Sequence, residues 1–133
     1  MTKAEFCSLP ELIREVKRRR EEIETLEAMA QGGSQQTDSE RVQSTAKDRT
    51  ELMAVIIDLK TELEPIEGYL EQARSQVKKI IEQNLRGRDS RLMRMRYLSG
   101  LKWHQIAGAM HYNVNYVQEL NTRIVDRLFT GEQ

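Results

Sequence analysis

The chain has 133 residues and no net formal charge, with 32% charged and only 5% aromatic residues. That length allows one compact domain, or a small domain with an extended appendage, and apolar material drawn from Leu, Ile, Val, Met and Ala favours helix over sheet. A single cysteine, Cys7, excludes an internal disulfide and a cysteine-rich metal site, and no apolar run is long enough for a signal sequence or a membrane span.

The neutrality hides an asymmetry. Residues 1–84 carry 13 Lys/Arg against 17 Asp/Glu, whereas 85–133 carry 8 against 4. The only prolines are Pro10 and Pro65, and no stretch alternates cleanly enough for a strand. The expected fold is therefore all-α: an N-terminal antiparallel, coiled-coil-like helical arm over 1–84, then a C-terminal helix-turn-helix domain over 85–133.

Ser8 and Glu11 have capping-box spacing and Pro10 suits a first turn, so a helix is expected to begin at Ser8. Leu9, Leu12, Val16, Ile23, Leu26 and Ala30 recur at three and four, with Arg19 in the seam between Val16 and Ile23. The basic run Lys17 to Arg20 is followed at once by Glu21, Glu22 and Glu24, which reads as a solvated, ion-paired face. The segment around 31–47 is rich in Ser, Thr and Gln and poor in apolar residues, and is expected to be a flexible connection in which Val42 docks on the helices.

From Thr45 or Asp48 the strongest periodicity begins. Leu52, Ile56, Leu59, Leu63, Ile66, Leu70, Ala73, Val77 and Ile80 are spaced four and three without a miss, the seam of a long helix. Carried to Leu85 it would be about 55 Å long at ~1.5 Å per residue, so it needs a partner: the first helix, another subunit, or both. Leu52, Ile56, Leu59, Leu63, Ile66, Leu70 and Val77 are the candidate oligomer seam. Pro65 is expected to kink or break this helix near Thr61 to Glu64.

Around Asn84 to Ser90 the heptads stop. Gly87 supplies a turn, Asp89 or Ser90 can cap a new helix containing Leu92, Met95 and Leu98, and Ser99 with Gly100 closes it. Leu101, Lys102 and Trp103 then lead into two short crossing helices. Ile106, Ala107, Met110, Val117 and Leu120 share a buried side around the small Ala107. Met110, His111 and Tyr112 form the tight turn, and Asn113 caps the second helix. His111 stands where such turns usually want glycine, and histidine is among the residues that tolerate the left-handed region.

The order Val42-Gln43-Ser44, a heptad arm, then RYLSGLKWHQIA from Arg96 to Ala107 and a tail ending at Leu128 resembles a family of small phage and prophage transcriptional regulators near the ArpU and RinA groups. Their C-terminal half looks like the promoter-reading region four of sigma factors. The resemblance covers roughly 9–128, and RYLxGxxWxxIA is its most specific part. It implies a DNA-binding regulator of phage genes, an activator, in the cytoplasm of a bacterial host. The chain departs from the family pattern at Lys102, where Ser or Thr is usual, at Asn115, Gln118 and Asn121, where Arg, Arg and His are usual, and at Pro65 within the arm.

The candidate base-reading residues are Asn113, Val114, Asn115, Gln118, Glu119 and Thr122. Asn and Gln pair bidentately with adenine, Glu accepts from cytosine, and Val packs on a thymine methyl. Lys102, Arg123, Arg127 and Arg94 are the candidate phosphate contacts. Trp103 and Tyr97 read as core rather than as a stacking pair for bases. His104 and His111 flank a turn with no cysteine near, so no metal site is expected. With no paired carboxylates, Ser/His/Asp set or phosphate loop in a plausible context, the expectation is a non-enzyme with no cofactor and no small-molecule substrate. Its expected partners are double-stranded DNA and further copies of itself, with RNA polymerase as a candidate and no membrane. The alternatives are a coiled-coil adaptor or structural protein, and a small DNA-packaging subunit.

Overall fold

The computed structural model describes residues 1–31 and 46–130, and all their regular structure is helical. Five helices follow in order: α1 Lys3–Ala30, α2 Ala46–Asn84, α3 Gly87–Tyr97, α4 Trp103–Met110 and α5 Val114–Leu128. The proposed docking of Val42 and most of the 31–47 connection lie outside the described residues.

The first helix starts earlier than its sequence suggests. Thr2 and Glu5, not Ser8 and Glu11, make the reciprocal cap: the Glu5 N–H donates to Thr2 Oγ1 at 3.1 Å and the Thr2 N–H to Glu5 Oε1 at 2.7 Å. Pro10 consequently lies inside α1, where it is fully buried. The reason for the earlier start is Phe6, which is 0% exposed and needs helical geometry upstream of Ser8 to reach the core.

Pro65 does not end α2, which runs unbroken from Ala46 to Asn84. An interior proline costs a helix about 3 kcal/mol through its missing N–H and its ring. Leu63 and Leu70, 3% and 5% exposed, are buried on either side of it and hold the turn in register.

The α2 seam divides in two. Ile56, Leu63, Leu70 and Val77, each seven residues apart, are buried, whereas Leu52, Leu59 and Ile66 are only half-buried. At its end the seam shifts by one: Ile81 and Leu85 are buried and Ile80 is not. A straight helix of 3.6 residues per turn drifts off a 3.5-residue repeat, so steps of four from Ala73 through Val77, Ile81 and Leu85 stay on the core side.

The chain packs as two compact units, one of 1–14 with 69–133 and one of 15–68. Each unit therefore takes part of both long helices, α1 being divided after Arg14 and α2 after Gly68.

In the 15–68 unit, Arg20 pairs with Glu67 and Glu27 with Lys60. Seven residues forward in one helix meets seven residues back in the other, so the two run antiparallel. Arg18 and Arg19 both pair with Glu15, so the basic run is an ion-paired surface. Among the described residues, Val16, Ile23, Ile56 and Leu63 are the buried apolar residues of this unit.

In the other unit, Phe6 is the hub. Its ring lies 4.3 Å from Tyr97 and 5.3 Å, edge on, from Phe129. Leu9, Ile13, Val77, Ile81, Leu92, Met93, Ile106, Val117 and Ile124 are among the other buried residues of this core. The loop after α3 is held from two sides: Arg14 of α1 donates to the Gly100 carbonyl at 3.0 Å, and Arg96 of α3 to the Leu101 carbonyl at 2.8 Å. Gly100 has φ +70, and a Cβ there would stand 2.8 Å from Ile13 Cγ2. Only glycine meets both the left-handed backbone and the close approach. No helix among the described residues is long and apolar enough to cross a membrane.

Candidate nucleic-acid interface

Between α4 and α5 the chain reverses over three residues. His111 adopts φ 62, ψ 41, and the Tyr112 N–H donates to the Ala107 carbonyl at 3.0 Å, closing the end of α4. Asn113 then caps α5, its Oδ1 accepting from the Asn115 N–H at 2.7 Å. At the other end of α4, the Lys102 N–H donates to Gln105 Oε1 at 2.9 Å. Ile106, Ala107, Met110, Val117 and Leu120 are all buried at the junction. A small residue at 107 lets the two helices cross closely, so their orientation is set by packing and by two backbone terminations.

The opposite side of α5 faces solvent. Asn115, Gln118, Glu119 and Thr122, at helical spacings of three and four, are exposed together. The other two proposed readers stand at the start of the helix: Val114 is half-buried, and the exposed Asn113 uses its side-chain oxygen in the cap. Thr122 is exposed, but its hydroxyl donates to the Gln118 carbonyl at 3.1 Å. Asn115 and Gln118 therefore present the amides best suited to a base edge. Asn121 is turned inward, accepting a 2.9 Å hydrogen bond from the Tyr97 hydroxyl.

The proposed cations are dispersed. Lys102 is exposed beside the start of α4. Arg94 lies on α3, its Nε donating to Ser90 Oγ at 3.1 Å. Arg123 pairs with Glu119 one turn back, and Arg127 reaches Asp89 Oδ2 at 3.2 Å. Both arginines remain mostly solvated, so these pairs contribute about 0–1 kcal/mol each and a phosphate can compete for either guanidinium.

Three features were not read from the sequence. Asp126 shares the outward face and binds Lys3 at 2.7 Å; this pair joins residues 123 positions apart, so no local pattern announces it. Tyr112 and Tyr116 are each 37% exposed and stack edge to face, 5.2 Å apart and at 86°. Arg88 Nη1 donates to the Tyr116 hydroxyl at 3.1 Å, and Arg88 Nε approaches Asp89 Oδ1 at 3.3 Å. Asp89, followed by Tyr116, holds the Arg88 guanidinium even more firmly protonated than usual, with a further contribution from the Tyr112 hydroxyl. The four-residue spacing of the tyrosines was the available clue.

Tyr97 is core, 2% exposed, and burial pushes its hydroxyl up to about 12. Trp103 is half-buried, with the Arg96 guanidinium 4.0 Å from its ring centroid. That stacking holds the loop before α4 and leaves one face of the indole covered. Among the described residues, no group of three His, Cys, Asp or Glu side chains could hold a metal ion. No protein-family model, curated protein or solved structure matches the chain.

Proposed function

We infer that the chain is a DNA-binding transcriptional regulator of phage type, an activator, in which α4 and α5 act as a sigma-like helix-turn-helix and α5 enters the major groove. The observation that carries this reading is the α4–α5 pair itself. A left-handed turn at His111, a side-chain cap at Asn113 and a five-residue apolar junction support an outward face of Asn115, Gln118, Glu119 and Thr122. Amide side chains on such a face suit adenine, and each good bidentate pair contributes about 1–3 kcal/mol of discrimination.

The arm of α1 and α2 acts as an antiparallel coiled coil that brings copies of the chain together. Leu52, Leu59 and Ile66 serve as the contact, because Ile56, Leu63, Leu70 and Val77 are used within the chain. Two linked α5 helices offset the modest charge of one. RNA polymerase is the further partner an activator needs, and the bacterial cytoplasm is where both would be met.

The second reading is a coiled-coil adaptor whose α4–α5 face binds protein. It is favoured by the pairing of Arg123 and Arg127 with the chain's own carboxylates. Titration of labelled duplex promoter DNA with the full chain separates the two. Binding that weakens steeply between about 50 and 200 mM salt is the expected result for the regulator. No binding to any duplex at low salt moves the assignment to the adaptor.

A further inference from the structure

An α-helix is about 10–12 Å across with its side chains, and the major groove is about 12 Å wide. A helix lying in that groove turns one face to the bases and its edges to the phosphate walls. On α5, Tyr116, Arg123 and Arg127 follow at seven and four, so they line one edge beside the face of Asn115 and Gln118.

Arg88 meets this edge from α3. Asp89 is bracketed by two guanidiniums, Arg88 at 3.3 Å and Arg127 at 3.2 Å, and is the most sheltered of the three, 21% exposed against 45% and 62%. These separations are long for charge-assisted hydrogen bonds, which run about 2.7–2.9 Å, and each guanidinium carries five N–H donors. Asp89 therefore aligns the arginines without exhausting them, and the group keeps a net positive charge. Tyr116 contributes a neutral donor. Its oxygen accepts from Arg88, so its own O–H points its proton elsewhere. Tyr112 braces that ring edge on.

We propose that Arg88 and Arg127, bridged by Asp89, together with the Tyr116 hydroxyl, form a clamp for the DNA backbone phosphates on one wall of the groove that α5 enters. This deepens the DNA-binding reading and rests on it. The clamp carries no sequence information. It fixes the register of α5 and supplies a cationic contact that the amide-rich recognition face lacks.

The test is a salt titration of full-length chain on labelled duplex DNA, with folding of every variant followed by helicity. Arg88→Gln and Arg127→Gln each flatten the slope of log affinity against log salt by roughly 1 and weaken binding on the order of tenfold, equally on specific and unrelated duplexes. Arg88→Lys restores the slope but not the full affinity, because the planar fork is lost. Tyr116→Phe weakens binding a few-fold with the slope unchanged, the signature of a neutral donor. Arg74→Gln, at an exposed position of α2, changes neither. Wild-type binding with unaltered slopes in both glutamine variants overturns the clamp alone, whereas wild-type failure to bind any duplex at low salt overturns the DNA reading and the clamp with it.

Discussion

The two compact units are built from the same two long helices, yet they bury very different amounts. The 15–68 unit buries Val16, Ile23, Ile56 and Leu63 and leaves Met29, Met53, Val55 and Ile57 exposed. The other unit encloses residues from all five helices around Phe6, and its exposed large hydrophobics, Tyr69, Tyr112 and Tyr116, are all tyrosines with a polar tip. Two helices side by side offer each other one stripe apiece, while α3, α4 and α5 add three further apolar faces to the parts of α1 and α2 in the other unit. Helix length therefore says little about where stability resides. The long periodic stretch is the more open part, and the short helices make the tighter one.

Removing the hub should have the largest effect. Phe6→Ala costs about 3–5 kcal/mol and speeds amide exchange throughout 69–130, whereas Leu63→Ala costs about 2–3 kcal/mol and speeds exchange only in 15–30 and 46–68. Equal acceleration of α5 by both variants would mean that the two regions open as one. Next comes the loop pinned on α1. Gly100→Ala puts a Cβ into the left-handed region and against Ile13, costing about 2–4 kcal/mol by urea denaturation. A loss below about 1 kcal/mol would show that α1 yields easily and is a looser part of the core than its burial implies.

The smallest of the three is conditional on pH. The Tyr97 hydroxyl is held up to about 12, above the ~10 of an unfolded chain, so the folded state favours the neutral phenol. Its contribution is complete below pH ~10 and disappears as the pH rises from ~10 to ~12, at most about 2–3 kcal/mol. Between pH 9 and 11 wild type should lose more stability than Tyr97→Phe; equal losses would place the alkaline sensitivity in other groups.

Much of the candidate site was legible because it depends on neighbours in sequence. The left-handed His111, the Asn113 cap and the five buried residues of the α4–α5 junction all follow from spacing and backbone chemistry over some fifteen residues. The outward face was legible to the same extent, for Asn115, Gln118, Glu119 and Thr122. Val114 and Asn113 stand at the start of the helix, where Val114 is half-buried and Asn113 also serves the cap. The ion pairs of Arg127 with Asp89 and Asp126 with Lys3 were illegible. They join groups 38 and 123 residues apart, and charge patterning reaches only one helical turn.

By itself the sequence determined the helical class, the order of the elements, the division of α2 into a repeating seam and the construction of the α4–α5 turn. These rest on periodicity, caps and left-handed positions, all short-range. Tertiary structure alone decided that α1 begins at Lys3 to deliver Phe6, that Pro65 stays inside a continuous helix, and that Gly100 meets Ile13. It also decided which half of the seam is buried and which arginines sit beside Asp89. Burial of apolar surface between distant segments outweighs a local penalty of a few kcal/mol, so a proline or a cap predicts a helix boundary only where packing does not ask for more helix.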